Sequence, residues 1–595
     1  MVLYRQHRLF GFFLLLFICA GWGCGKNKFT DGLYEENPLV LTNSNIRLFN
    51  ISQYDLNLVV NNNLLAMQKR SEFEDPQTSA IGKLLFPSGM WKNKTGFSIP
   101  TTLLDKSGGA QVSFPPITAA IALKDTLLIN DPVNPRDYYI LPTGKMVTFP
   151  RNNTPPADPK NFKIRIVNLG NPVNDFNVGG PVTLTYADGS MVDVKLSGID
   201  NNQSSEYAEV PYGAYMFKLF AGGTMPDYKR QLTTNGILPA FNYCVPGIMP
   251  QEGYLPPVTT FKPGGVYTIM VVPTLVRYDV SCNGGTSFIL QKLTNAYQLI
   301  TDLDPGVNMS YARINAINTI PGKKVVVKDN GRQLGDGALT YIGDQFQSKA
   351  IPAVYNTVVQ GNHTIRALDE SGAALAELNI DIYPFDNLTF WVYTDAGGKT
   401  QITFTSNDMT NTLYKFGFNS TDRPDDGTDG EIRRIRYATA WQSRFMNFCN
   451  QYKAVTFSND GQLFLPEYRA PDSIRYRTAY CNLAPAQVPQ RNASVIYALT
   501  NITGYNEGGA PIDIIGEQTW FPKKIWVNNT EEGFLPGSII TTVSPVSTAN
   551  TFTANDAMYS NPNSKTVAET GIYTIALVGG QSGAAPKIVA IKHNK

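Results

Sequence analysis

Hydrophobic and polar residues along this chain recur in short runs of period two, and the 3.6-residue period of helices is scarce. Ile46-Arg47-Leu48-Phe49-Asn50 is an apolar run broken by one Arg and closed by Asn. It reappears as Ile164-Arg165-Ile166-Val167-Asn168, with weaker echoes at Ala312-Arg313-Ile314-Asn315-Ala316 and Ile435-Arg436-Tyr437-Ala438. This pattern predicts a strand with one face buried, followed by a turn at Asn or Gly. A second block, Gly213-Ala214-Tyr215-Met216-Phe217-Lys218-Leu219, matches Gly361-Asn362-His363-Thr364-Ile365-Arg366-Ala367, at equal distances after Arg165 and Arg313. A third block closes the units: Gly265-Val266-Tyr267-Thr268-Ile269 is matched by Gly571-Ile572-Tyr573-Thr574-Ile575. Asn387-Leu388-Thr389-Phe390-Trp391-Val392 is its counterpart in the third unit.

Turn signals such as Asp188-Gly189, Asp329-Asn330-Gly331 and Asn459-Asp460-Gly461 sit between β-branched and aromatic runs. The repeats exceed solenoid length, so each unit is large enough to hold its own core. The fold class expected from these residues is all-β, with tandem β-sandwich domains in series. The Ig-like form of the sandwiches and the lipoprotein signal peptide before them are implied by resemblance. The expected organisation is a signal peptide over 1–23, a tether over 24–42, and sandwiches over 43–155, 160–300 and 308–420. An enlarged C-terminal β domain follows over 432–595. Pro-rich or acidic connections at Pro155-Pro156-Ala157-Asp158-Pro159, Asp302-Leu303-Asp304-Pro305-Gly306 and 422–431 suit those boundaries.

The first segment carries a separate message. Arg5, His7 and Arg8 precede the apolar run Leu9 to Ala20, which is too short for a membrane span of about 20 residues. Gly21-Trp22-Gly23-Cys24 follows, and the whole resembles a bacterial lipoprotein signal. That resemblance implies cleavage before Cys24, lipidation of Cys24, and attachment to the membrane through an N-terminal lipid. Trp22 departs from the small residue usual at its place. Loss of 1–23 removes two Arg and no acid, so the mature chain is balanced in charge and anchoring rests on lipid.

The opening Arg-Ile-Val-Asn run, the Gly-x-Tyr-like middle block and the closing Tyr-Thr-Ile strand are similar to a domain-of-unknown-function family of β-sandwich repeats. That family is common in exported Bacteroidetes lipoproteins. The resemblance covers about half of the chain and implies an Ig-like fold with a binding or scaffolding role in the cell envelope. It supplies no catalytic residues. The location it implies is the outer membrane, at the cell surface or the periplasmic face.

Composition narrows the chemistry. Charged residues make up 16% of the chain and aromatics 11%, with a formal net charge of +2. This balance gives no general attraction to nucleic acid. Three histidines, His7, His363 and His593, leave little for His-based catalysis. His363 occupies the strand position of Tyr215 and reads as a structural ring. Gly397-Gly398-Lys399-Thr400 reads as a hairpin turn, because Tyr393 stands where a phosphate-binding loop needs its first glycine. Cys244 with Cys282, and Cys449 with Cys481, read as disulfides of an oxidising compartment, with buried thiols or a metal as the alternatives. Asp422, Asp425, Asp426, Asp429 and Glu431 form either a solvated acidic linker or a calcium site. No other cofactor is expected.

Trp520, Phe521 and Trp526 lie in an insertion of the last domain, where they either fill its core or contact a ligand or partner. Asp125-Thr126-Leu127 and Asp472-Ser473-Ile474 resemble a short O-glycosylation motif. The expected function is a non-enzymatic, lipid-anchored envelope protein that binds, adheres or scaffolds, its partner an envelope protein or glycan. The alternatives are a glycan-binding accessory lipoprotein of an outer-membrane nutrient-uptake complex and, behind it, an envelope hydrolase. A hydrolase would need an acid facing a pair such as Glu531-Glu532.

Overall fold

The computed structural model describes residues 42–52, 56–66, 96–115, 124–172, 178–223, 225–227, 230–234, 258–281, 287–305, 310–407, 440–464, 479–488, 495–498, 522, 524–531, 534–553, 556–558, 569 and 571–595. These form four units, each built from facing β-sheets, with helix confined to single short turns. No helix among the described residues is long and apolar enough to cross a membrane.

Among the described residues each unit pairs its opening strand with its penultimate strand, and one further antiparallel strand follows in the same sheet. The opening strands are Asn43–Asn50, Asn161–Asn168, Tyr311–Asn318 and Ala440–Asn447. Their closing partners, Arg136–Ile140, Val266–Ser281, Asn387–Thr394 and Gly571–Val578, run parallel to them. Most of the unit lies between the two in sequence and supplies the long crossover that a parallel pair requires. All four pairs share one register, because the last residue of each opening strand is Asn. Asn50 pairs with Ile140, Asn168 with Val271, Asn318 with Val392 and Asn447 with Leu577.

That Asn is a buried clasp. Asn318 Nδ2 donates to the carbonyls of Lys323 and Leu339 at 2.7 and 3.0 Å, while its Oδ1 accepts from the Ile320 amide. Asn168 reaches Gly180 and Ile199 in the same way and accepts from Gly170; Asn447 reaches Leu483 and accepts from Cys449. A short amide ties the end of the opening strand to the loop that starts the facing sheet, where no ladder bond is available.

This register corrects two expectations. Arg313 lies two residues earlier on its strand than Arg165, whose true counterpart is Asn315. The fourth opening strand carries Arg444, and the echo at Ile435-Arg436-Tyr437-Ala438 lies outside the described residues. The first three opening strands are as expected, but not their one-sided burial. Arg165 is 1% exposed and Arg444 6%, and the final residues of all four strands are buried.

The reason is that the sheets carrying the opening and closing strands pack back to back. In unit 1, Ile46, Leu48 and Ile140 face Leu58, Val60, Ala110 and Val112 across the sandwich. Phe49, Ile51, Tyr139 and Leu141 project the other way, against Val167, Leu169, Met270, Val272 and Ile300 of unit 2. Units 3 and 4 repeat the arrangement: Ile317, Trp391 and Tyr393 join Met446, Phe448, Ala576, Val578, Val589 and Ile591 in one core. Sequential units therefore associate as two double sandwiches, and a parallel pair covered on both faces reads as a continuous apolar run. Ile351–Pro352 of unit 3 extends the sheet of unit 4 by pairing with Lys587–Lys592.

Three of the Gly-x-Tyr or Gly-x-His starts share a purpose, while Tyr267 Oη instead accepts from the Lys262 amide. Tyr215 Oη donates to the Pro211 carbonyl, Tyr573 Oη to that of Glu569, and His363 Nε2 to that of Val359, each four residues upstream. This is the corner device of Ig-like sandwiches, in which a ring at a strand start ties down the incoming turn.

Replacing Asn318 with Ala takes the side-chain partner from the Lys323 carbonyl and from the buried Ile320 amide, while the Leu339 carbonyl keeps the Val325 amide. It should cost about 2–4 kcal/mol at roughly 1–3 kcal/mol per stranded group. Denaturant unfolding of the variant checks this; a loss below 1 kcal/mol would refute the clasp.

Candidate functional site

Buried charge gathers where the units meet. At the first joint Asp137 is fully enclosed. It receives Arg47 Nε and Nη2 at 2.8 and 2.7 Å, Arg151 Nη1 at 2.7 Å and Arg165 Nη2 at 3.4 Å. Arg47 Nη2 also meets Asp302, whose other oxygen accepts from Thr268 Oγ1 and Tyr207 Oη. Arg165 closes the ring, giving Nε to Thr268 Oγ1 at 2.9 Å and Nη1 to the Pro150 carbonyl of unit 1. Strand pairing does the positioning, since Arg47 and Asp137 are register partners, as are Arg165 and Thr268. Burial acts to raise the Asp137 carboxyl; Arg47, Arg151 and Arg165 outweigh it and hold the group below the usual carboxylate range.

The second joint follows the same plan with different residues. Arg444 and Thr574 stand at the positions of Arg165 and Thr268. Arg444 gives Nη1 to Asn407 Oδ1 at 2.7 Å and Nη2 to the Ser406 carbonyl. His593, one residue past Lys592, occupies the place of Asp302, one residue past Thr301. Its Nδ1 lies 2.8 Å from Tyr355 Oη and its Nε2 2.8 Å from Thr574 Oγ1. The place of Asp137 is taken by Thr389. Arg313 lies over the Tyr355 ring at 4.4 Å. Burial, with Arg444 and Arg313 adding to it, pushes His593 well below its ordinary value.

A third contact joins the two double sandwiches. The Met216 amide of unit 2 donates to the Lys595 carbonyl, and the Lys595 amide to the Ala214 carbonyl. Glu569 binds Lys592 and lies 3.8 Å from Lys218 Nζ, all three nearly buried. Ala187, Ala214, Met216 and Val258 of unit 2 pack with Ile572 of unit 4 beside them.

Against this geometry the residues expected from sequence fall apart. Cys24, Cys244, Cys282, Asp422, Asp425, Asp426, Asp429, Glu431, Trp520 and Phe521 lie outside the described residues, as does Asp472-Ser473-Ile474. Cys449 and Cys481 are buried thiols and not the expected disulfide. Cys449 Sγ is turned toward Gly580, its amide is held by Asn447, and burial pushes its thiol up, away from the reactive thiolate. Trp526 is half-buried on the strand Lys524–Glu531, paired with Ser458.

His363 is a structural ring, with Nδ1 2.7 Å from Asp329 and Nε2 on the Val359 carbonyl, so neither nitrogen is left for a nucleophile. Gly397 and Lys399 donate their amides to Asp395 in a hairpin turn, as expected. No group of three metal-ligating side chains occurs among the described residues. Sequence reasoning missed Asp137, Asp302, Arg151, Tyr355 and His593. The available signal was a lone Asp in the apolar run Tyr138-Tyr139-Ile140 and a lone Arg in each opening strand.

Asp137→Asn leaves three buried guanidiniums around a neutral amide, and should destabilise units 1 and 2 by about 3–5 kcal/mol. The second joint has a different acid response. His593 folded resists a proton that it accepts at about 6.5 when unfolded, so its contribution is complete above pH 6.5 and falls as pH drops below it. The loss approaches about 1.4 kcal/mol per pH unit. Hydrogen exchange at pH 7.5 and 5.5 should show units 3 and 4 loosening first, and His593→Gln should flatten that response.

No family model matches the chain, and no curated protein does. Among solved structures, "The Bacillus anthracis TIE protein" is similar at 10% identity over 58% of this chain and 49% of that chain, with a TM-score of 0.10. The chain thus spans about half the length of that structure, and so low a score carries no argument.

Proposed function

We propose that this chain is a non-catalytic, lipid-anchored protein of the outer membrane that binds or scaffolds a partner in the cell envelope. Cys24 holds the lipid, and the double sandwiches carry the contact surface. The observation that supports this reading best is where the ionisable groups stand. The buried Arg, Asp, Glu, Lys and His side chains of the joints are engaged with one another, with neighbouring hydroxyls and amides, or with carbonyls, and so hold units together. Apolar side chains that a partner could cover are found instead at sheet edges. Leu127 and Ile129 lie on the edge strand Thr126–Ile129 beside Val133, which is 82% exposed. Exposed edge strands of this kind invite pairing with another chain.

Two measurements test the proposal. Labelling cells with a clickable fatty acid should tag the protein and place it in the membrane fraction, and Cys24→Ala should lose both. Affinity capture from detergent-solubilised outer membrane should recover a stoichiometric partner. Capture should fail with Leu127→Lys/Ile129→Lys, while the unfolding midpoint of that variant stays within about 2 °C. Recovery of a transporter barrel would move the assignment to a nutrient-uptake accessory.

A further inference from the structure

The two joints share a plan, and the residues that differ leave one charge without an answer. At the first joint each donor finds an acceptor: Arg165 Nε–H goes to Thr268 Oγ1, and the Thr268 hydroxyl goes to Asp302. At the second joint the proton order is dictated by Arg444, which can only donate. Its Nη1 takes Asn407 Oδ1, so the Asn407 Nδ2 end faces Tyr355 Oη at 3.2 Å and Thr389 Oγ1 at 2.8 Å, donating to both. Tyr355 then passes its own proton to the nearest acceptor, His593 Nδ1 at 2.8 Å. His593 therefore carries its proton on Nε2 and donates it to Thr574 Oγ1.

Two donors remain at the end of this chain. The Thr574 hydroxyl proton has no acceptor among the described residues. Arg444 Nε is buried and likewise has no hydrogen-bond partner there. The two residues are register partners on neighbouring strands. Other charged and titratable groups facing them do not supply an acceptor. Arg313 is cationic, His593 and Tyr355 are committed as above, and Asp386 directs Oδ2 to the Tyr383 amide. No carboxylate among the described residues pairs with Arg444.

We propose that the joint between units 3 and 4 binds a small monovalent anion of the halide class, held between the Nε–H of Arg444 and the hydroxyl of Thr574. The anion does there what Asp137 and Asp302 do at the first joint. It supplies the negative charge that a guanidinium taken out of water requires and accepts two otherwise stranded donors. Burial lowers Arg444 to about 10, whereas Arg165, likewise buried but beside Tyr207, Tyr139, Asp302 and Asp137, is raised.

The test uses the full-length protein in detergent at constant ionic strength, comparing sodium gluconate with sodium chloride and sodium bromide. The unfolding midpoint of the units 3 and 4 transition should rise saturably with either halide. The expected rise is about 2–4 °C for each tenfold or so of added binding. Thr389→Asp restores a carboxylate at the place of Asp137. It should raise the midpoint in gluconate and abolish the halide response, and Arg444→Met should abolish the response as well. Crystals soaked in bromide should show anomalous scattering between Arg444 and Thr574. Equal midpoints in all three salts would overturn the proposal, leaving water as the partner of both donors. So would a halide response that persists in both variants, or bromide located only elsewhere.

Discussion

The parallel pairing of each unit's opening strand with its penultimate strand is the constraint on which the rest of this molecule depends. A parallel pair cannot be closed by a hairpin, so everything between the two strands must leave the sheet, cross the sandwich and return. It is also favoured where both faces are covered, and a single sandwich covers only one. Each unit thus presents an apolar outer face that another sheet must cover. Unit 2 covers unit 1, and unit 4 covers unit 3, through Phe49 and Tyr139 against Met270, and Trp391 against Met446 and Phe448.

Back-to-back burial explains the unusual placement of charge. A long side chain on the outer face of such a strand has no route to water, so it must meet partners inside the joint. The first joint uses three Arg and two Asp to do this, and the second uses an Arg, a His, a Tyr and amides. Such networks are weak sources of net stability, because desolvation offsets much of the attraction. They are strong sources of alignment, because a shift of one residue would strand several charges at once. The joints fix how one unit sits on the next.

Part of this was legible in the residues. Period-two runs bounded by Asn, Asp and Gly turns mark short strands, because side-chain alternation in a strand is local chemistry. The Gly-x-Tyr block was legible because a corner ring reaches only four residues upstream, within one stretch of sequence. The joints were not legible. Asp137 and Asp302 are separated by more than a domain, and nothing near them announces the three guanidiniums that Asp137 meets or the one that Asp302 meets. The acidic stretch at 422–431 stood out in composition alone, whereas the residues that gather did so one at a time, each isolated in an apolar strand.

Sequence by itself determined the class of structure, the repetition of a strand-rich unit and the turns, because each depends on neighbours a few positions apart. Only the tertiary structure decided that Arg165 and Arg444 point into joints and that Asn, not Arg, marks equivalent positions. It alone set Cys449 and Cys481 apart as buried thiols and gave the last histidine the place of an aspartate. These depend on which face of a strand is covered by a distant sheet. A strand's own residues state that one face is apolar; they do not state what will cover the other.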